Sequence, residues 1–230
     1  MSMKADSFSL SWISDPQVFA VNRLDAVSDH DVYASAQEAE QGVSSLKRSL
    51  RGAWRMRYAE CPTQAPAEYW REGFDDHDFD WVQVPGHLQM QGYGTIQYVN
   101  TQYPWDGNED LKPGEVSVKH NATASYVKRF SLTEAEAASR VVLTLEGVES
   151  SAAVWLNGQF IGYGEDGFTP SRYDVSQAAR PGENRLCVQC FQRTSGSWLE
   201  DQDFWRFSGI FRDVTLTFEP KAHVEDIFVH

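Results

Sequence analysis

Short runs of alternating apolar and polar residues, divided by turn formers, dominate this chain from residue 52 onward. In 52–58 (G-A-W-R-M-R-Y), Trp54, Met56 and Tyr58 alternate with Arg55 and Arg57, the pattern of a strand with one buried and one wet face. Residues 81–84 predict a short strand stopped by Pro85 and Gly86. Further strands are predicted over 125–132, 140–145 (R-V-V-L-T-L), 185–191 and 211–218, with a short edge strand at 173–175. In 151–161, Asn157-Gly158 separates two apolar runs, a strong two-residue hairpin signal. The run V-E-D-I-F-V at 224–229 predicts one more strand, of the kind that wants a successor. Helix is scarce. Only A-S-A-Q-E-A-E, at the start of 34–50, combines good helix formers with no Pro. Many short strands with little helix argue an all-β sandwich.

The remaining stretches carry weaker periodicity. Residues 1–32 predict an irregular arm lying on something, tied down by Phe8, Leu10, Trp12, Ile13, Val18 and Phe19. Residues 61–80 predict a loop with a helical turn, anchored by Tyr69, Trp70 and Phe74. Residues 87–104 are loop-like and, with Trp105, hold the polar and aromatic set I-Q-Y-V-N-T-Q-Y-P-W. A long polar excursion follows at 106–123, and long loops in compact domains are usually functional or mobile. The division expected is an arm with a short helix over 1–50 and a sandwich domain over 51–230.

Composition narrows the partners. The 230 residues carry 33 acidic against 20 basic side chains, a formal net charge of -13. A field of that sign repels phosphate backbones and anionic bilayers, so neither nucleic acid nor membrane is an expected partner. No apolar run approaches a membrane-spanning length. The start, M-S-M-K-A-D-S-F-S-L, lacks the apolar core of a signal peptide, so the expected address is cytoplasmic. The acidic composition and the abrupt end suggest a piece of something longer. Three cysteines do not make a disulfide framework. Cys187 and Cys190 form a C-x-x-C, but strand residues three apart face opposite sides. No second pair exists to complete four ligands, so both read as small hydrophobes. The six histidines are scattered without ligand spacing.

Residues 197–213, S-W-L-E-D-Q-D-F-W-R-F-S-G-I-F-R-D, concentrate the candidate chemistry. Glu200, Asp201 and Asp203 lie within four positions, among Trp198, Phe204, Trp205, Phe207 and Phe211. Aromatics favour burial and carboxylates favour water or a partner. Such a run is either a paired structural knot or the wall of a site for a polar ring such as a sugar. Arg206 and Arg212 could pair with some of this charge, and composition does not say with which acid. Three acids on one short loop are poorly disposed for glycoside hydrolysis, whose two carboxyls must flank the scissile bond. Asn100 offers two donors and an acceptor suited to hydroxyls. Taken alone, it is better read as satisfying its own loop backbone, which Asn does often.

Several of these pieces, in order, resemble a known family: L-R-G-A-W-R-M-R-Y, V-P-G-H-L-Q-M-Q-G-Y, Y-V-N-T-Q-Y-P-W, L-E-G-V-E-S, V-W-L-N-G-Q-F-I-G-Y and W-L-E-D-Q-D-F-W-R-F-S-G-I-F-R-D-V. Together they look like the amino-terminal sugar-binding domain of bacterial β-galactosidases of glycoside hydrolase family two. The likeness is strongest from about residue 50 onward and weakest in 106–123. It implies a jelly-roll, galactose-binding-like β-sandwich that completes the galactose pocket of a TIM barrel absent here. That barrel would hold both catalytic glutamates of a retaining β-galactosidase acting on terminal β-D-galactosides such as lactose. On this resemblance Asn100 and Asp203 contact galactose hydroxyls, and Asp203 also helps hold a sodium ion shared with the barrel. Glu200 and Asp201 then support their loop by pairing.

No residue of this chain is expected to be catalytic, and the piece alone is expected to be inactive. Sodium and magnesium are implied for the parent, with no cofactor in this piece. The implied partners are galactosides, the remaining domains of the parent chain, and further copies of it in a homo-oligomer. The alternative is a free-standing carbohydrate-binding module, because jelly rolls host many functions. A surface left by absent partners should be apolar and partly exposed, with Phe204, Trp205, Phe207 and the region of Trp105 as candidates.

Overall fold

A computed structural model describes residues 2–200 and 203–230, except the side chains of Val99 and Glu200. Its strands are β1 (Ala20–Val21), β2 (Lys47–Ser49), β3 (Gly52–Ala59), β4 (Asp80–Val84), β5 (Gln97–Val99), β6 (Thr123–Leu132), β7 (Arg140–Leu145), β8 (Val148–Glu149), β9 (Ser151–Leu156), β10 (Gln159–Gly164), β11 (Ser171–Asp174), β12 (Gly182–Phe191), β13 (Phe204–Arg206), β14 (Gly209–Ile210) and β15 (Val214–Glu219). Short helices α1 (Ala36–Gln41), α2 (Glu134–Ala137) and α3 (Ser197–Glu200) decorate the loops. A seven-stranded sheet runs β1-β10-β9-β12-β6-β3-β4, and a four-stranded sheet runs β11-β7-β15-β2. All their ladders are antiparallel.

The two sheets close on an apolar core supplied by alternate residues. Trp54 and Met56 of β3, Leu186, Val188 and Cys190 of β12, and Val141, Leu143 and Leu145 of β7 all point into it. The sandwich expected from the alternation is therefore the observed fold.

A second core lies on the other face of the large sheet. Val127, Trp155, Tyr163, Cys187 and Phe191 emerge there, and the arm covers them with Phe8, Trp12, Ile13 and Val21. Phe8 sits 5.6 Å from Phe191 and 5.8 Å from Trp155, ring centroid to centroid. Cys187 thus enters this second core while Cys190 enters the first, opposite faces of one strand. Leu10 and Phe19, expected among the arm's anchors, are exposed instead. Leu10 opens a short 3-10 turn, Leu10–Ser14, that buries Ile13 instead, and Phe19 lies beyond it.

The hairpin forms where expected. Asn157 and Gly158 take φ values of 51° and 80°, as a type I′ turn requires. At the free margin of the large sheet, the Gln91 carboxamide accepts from Gln83 N at 2.7 Å and donates to Gln83 O at 3.1 Å. It thereby bonds β4 as a neighbouring strand would. Gly86 allows the approach, since a Cβ there would lie 2.6 Å from Gln91 Nε2.

Three expectations fail locally. Residues 224–229 form no strand. They run irregularly beside the arm, with Ser28 N donating to Asp226 Oδ1 at 2.8 Å. The strand expected over 211–218 starts only at Val214, because 211–213 turn to bond Gly147. The loop-like 87–104 contains the strand β5.

Candidate functional site

Two short strands form the platform. β5 pairs with β13 in the register Val99↔Phe204, Tyr98↔Trp205 and Gln97↔Arg206. One step beyond this ladder, Asn100 follows β5 and Asp203 precedes β13. The two sequence-predicted residues therefore stand at the same end of one ribbon, both exposed. Asp203 has φ 50°, a left-handed conformation that Asp tolerates better than most residues. Its Oδ1 accepts a hydrogen bond from the Tyr98 phenol at 2.5 Å, which pushes the tyrosine's own ionisation upward. The Tyr98 and Trp205 rings lie 5.2 Å apart on the same pair of strands.

Beside the ribbon a cleft of about 180 Å³ is lined by Asn100, Thr101, Gln102, Tyr103, Ser197, Trp198 and Arg206. Tyr103 and Trp198 form its aromatic wall, with centroids 4.7 Å apart. The polar excursion props this wall. Trp198 Nε1 donates to Glu115 O at 2.7 Å, and Trp105 Nε1 donates to His120 O at 2.9 Å. An indole donor buried with a partner is well satisfied, so Trp105, at 2 % exposure, is a core residue rather than the exposed rim expected of it. Trp205 is half exposed, Phe204 and Phe207 are half-buried, and Leu199 reaches 88 % exposure. Tyr98 and Trp205 thus form an exposed aromatic pair on the ribbon.

Arg206 is buried behind the cleft and its guanidinium approaches Gln102 O at 3.4 Å. Burial pulls its pKa down to about 10, so it stays charged at neutral pH. Arg212 does not share this role. It donates to the Phe168 carbonyl and lies on the surface. The pairing expected of Asp201 falls outside the described residues, as does the Glu200 side chain.

Below the ribbon lies a buried polar group that the sequence did not single out. Glu149 of β8 is 3 % exposed, and its backbone pairs with Gly209 of β14. Burial pushes its pKa up to about 7, against the opposing pull of Arg193 and Arg206. His87 Nδ1 lies 3.9 Å from Glu149 Oε2, and burial lowers the His87 pKa. The imidazole stacks on Phe211 at 5.0 Å and lies 4.7 Å from Phe207. The importance of Tyr98, Glu149 and His87 lies in partners distant in the chain, which no local pattern announces.

Among the described residues, the ribbon and its cleft bring together an exposed carboxylate, an amide, aromatic faces and a buried cation, a donor set suited to a polar ligand. Among the described residues, the one group with metal-ligand spacing is Glu219, His223 and Glu225. Arg140 already bonds Glu219 at 2.8 Å and Glu225 at 2.5 Å, so this group is a surface ion-pair network. No helix is long and apolar enough to cross a membrane, among the described residues.

Comparison with known proteins adds relatives to this geometry. Residues 47–220 match the pattern of the glycosyl hydrolases family 2, sugar binding domain. The chain is 50% identical over 228 residues to a beta-galactosidase of Halalkalibacterium halodurans, covering 99% of this chain and 22% of that protein. It is 47% identical to a beta-galactosidase of Streptococcus thermophilus, covering 95% of this chain and 21% of the relative. It is 43% identical to the beta-galactosidase large subunit of Leuconostoc lactis, covering 95% of this chain and 37% of that subunit. Among solved structures, a Bacteroides uniformis beta-glucuronidase aligns with TM-score 0.56 at 20% identity, over 76% of this chain and 18% of the other. That likeness concerns the fold alone. The chain spans only about a fifth to a third of the length of these relatives.

Proposed function

The chain belongs to the sugar-binding domain of the glycosyl hydrolases family 2, and from that premise we propose that it is the galactose-facing domain of a longer β-galactosidase. The parent hydrolyses terminal β-D-galactosides, and its catalytic carboxylates lie in parts of the parent outside these residues. This chain contributes the Asn100 amide and the Asp203 carboxylate to sugar hydroxyls. The observation that carries the reading is their meeting at one end of the β5–β13 ribbon, beside an aromatic cleft. Holding a substrate in register is a catalytic contribution, because misplaced groups lose near-attack geometry.

Asp203 also fits a shared sodium ion in one respect: an exposed carboxylate is a hard oxygen donor of the kind such cations take. One carboxylate fills a small part of a coordination shell, so the remaining ligands belong to other segments of the parent. Magnesium is proposed for the parent from the family resemblance alone, with no residue of this chain assigned to it. The exposed aromatic pair Tyr98 and Trp205 receives those segments, and further copies of the parent assemble with it. Three buried free cysteines suit a reducing cytoplasm.

The test is steady-state hydrolysis of o-nitrophenyl β-D-galactoside by the intact protein. Asn100→Ala and Asp203→Ala should each raise KM about tenfold or more, the worth of a charge-assisted contact, and Asp203→Ala should blunt activation by sodium. Unchanged kinetics and sodium response in both variants would overturn the reading. Micromolar affinity of residues 1–230 alone for lactose would instead favour a free-standing carbohydrate-binding module.

A further inference from the structure

We infer that the cleft between Tyr103 and Trp198 is a second sugar subsite, holding the sugar on the far side of the galactosidic bond of a disaccharide, and that the 106–123 excursion gives this subsite its shape. The inference rests on the reading that Asn100 and Asp203 face the galactosyl unit.

The cleft adjoins the end of the ribbon. Asn100 stands there with Asp203 and also lines the cleft, beside Thr101 and Gln102. Asp203 does not line it, so the cleft extends past Asn100 rather than enclosing both residues. A sugar joined to a galactosyl unit held by that pair can enter the cleft while Asn100 touches both rings.

The lining suits a pyranose. Tyr103 and Trp198 lie 4.7 Å apart, centroid to centroid, at 48°, so the two rings make an angled corner rather than a flat stack. The C–H face of a sugar packs on aromatic rings of this kind, which have an apolar body and a polar tip. Its hydroxyls need donors and acceptors, and the Asn100 and Gln102 amides and the Thr101 hydroxyl supply both. The volume of about 180 Å³ is below the roughly 300 Å³ at which pockets for drug-sized ligands begin, which fits one ring rather than a chain. A net charge of -13 disfavours a phosphorylated occupant.

The excursion holds both rings. Trp198 Nε1 donates to Glu115 O at 2.7 Å. Tyr103 N donates to Asp106 Oδ2 at 2.9 Å, which fixes the backbone that carries the other ring. Trp105 packs 5.5 Å from Trp198 and donates its own Nε1 to His120 O at 2.9 Å. Inside the excursion, Ser117 Oγ donates to Glu109 Oε2 and accepts from Lys119 N and His120 N. These bonds make 106–123 a built support, and long loops of that kind are commonly functional.

The experiment compares lactose with methyl β-D-galactoside, which has no second sugar, as substrates of the intact protein. The ratio of kcat/KM for lactose to kcat/KM for the methyl galactoside should fall about tenfold in Tyr103→Ala and in Trp198→Ala, and about threefold in Asp106→Ala, with the loss in KM. Tyr103→Phe keeps the ring and should restore the ratio. Glucose, the second sugar of lactose, should inhibit the two alanine variants of the wall less than the wild type. A wild-type ratio in both overturns the subsite, as does a loss confined to o-nitrophenyl β-D-galactoside, which would make the cleft a seat for aromatic groups. Tyr103 is half exposed, so Tyr103→Ala decides the matter alone if Trp198→Ala does not fold. A wild-type ratio in both Asp106→Ala and Trp198→Phe, which lacks the indole donor, overturns the shaping role of the excursion. Asn100→Ala and Asp203→Ala separate the two readings. If they raise KM for the methyl galactoside while the wall variants keep the ratio, only the subsite falls; if they do not, the sugar-facing ribbon itself falls.

Discussion

The Tyr98 phenol reaches across the β5–β13 ribbon to donate a 2.5 Å hydrogen bond to Asp203 Oδ1. Asp203 sits in a left-handed conformation at the mouth of its strand, so this bond restrains a residue whose backbone alone does little to aim it. Tyr98→Phe keeps the ring against Trp205 and removes only the tie. The tie only aims an exposed carboxylate, so galactoside KM should rise a few-fold with kcat nearly unchanged. In Asp203→Ala, Tyr98 should ionise at lower pH than in the wild type, read from tyrosinate absorbance. No movement in that titration would deny the bond.

Asn157 fixes the β9–β10 hairpin from inside as well as by its φ. Its Nδ2 donates to Ala178 O and to Asn184 Oδ1, both at 2.8 Å, and its Oδ1 accepts from Arg185 N at 2.8 Å. Asn157→Ala should cost about 3 kcal/mol or more, since buried partners are orphaned and the turn conformation suits Ala poorly. Urea unfolding measures this, and a loss below about 1 kcal/mol would contradict it.

Glu149 should make stability fall with rising pH. Its folded pKa of about 7 exceeds the ordinary 4.5, so the folded state binds more protons between those values. Stability linked to this group is therefore full below about pH 4.5 and lost as pH rises through about 7. The shift corresponds to roughly 3 kcal/mol. Glu149→Gln cannot ionise, so its melting temperature relative to wild type should be higher at pH 8 than at pH 5. An equal offset at both pH values would show that the carboxyl does not titrate this way.

The arm should be structural rather than ornamental. Phe8 packs against Trp12, Trp155, Tyr163 and Phe191. Phe8→Ala should destabilise by about 2 to 3 kcal/mol, less than a fully buried ring would. It should also speed proteolysis within residues 1–19 under native conditions. Unaltered stability and cleavage would mean the second core holds without the arm.

The thiols should be silent in the native protein. Cys187 and Cys190 are fully buried, and burial pushes both pKa values to about 12. Reactivity follows the thiolate, so Ellman's reagent should label neither before denaturant is added. Rapid native labelling of either would contradict their burial.

What could be read from the chain alone depended on how local the signal was. The Asn157-Gly158 turn, the alternation in β3 and the opposed faces of Cys187 and Cys190 are written in neighbouring residues, and they hold. The second core was half legible: Phe8 and Trp12 announce that an arm must lie somewhere, but nothing nearby says that β9, β10 and β12 await it. β5 carries no strand signal of its own, because three residues cannot establish a period. Its strand character comes from pairing with a segment about a hundred positions away. Residues 224–229 show the converse: the pattern of a strand is present, but the pairing that would make one is not formed. Asn100 and Asp203 were singled out by resemblance, whereas the buried group around Glu149 depends on four segments meeting and left no local trace.

The Gln91 carboxamide, seated on Gln83, has a consequence for how this molecule behaves in a crowd. An incoming polypeptide seeking to extend the sheet by cross-β growth would first have to evict that amide. The lock is a single side chain, so its removal by Gln91→Ala should leave the fold standing while licensing self-association at high concentration.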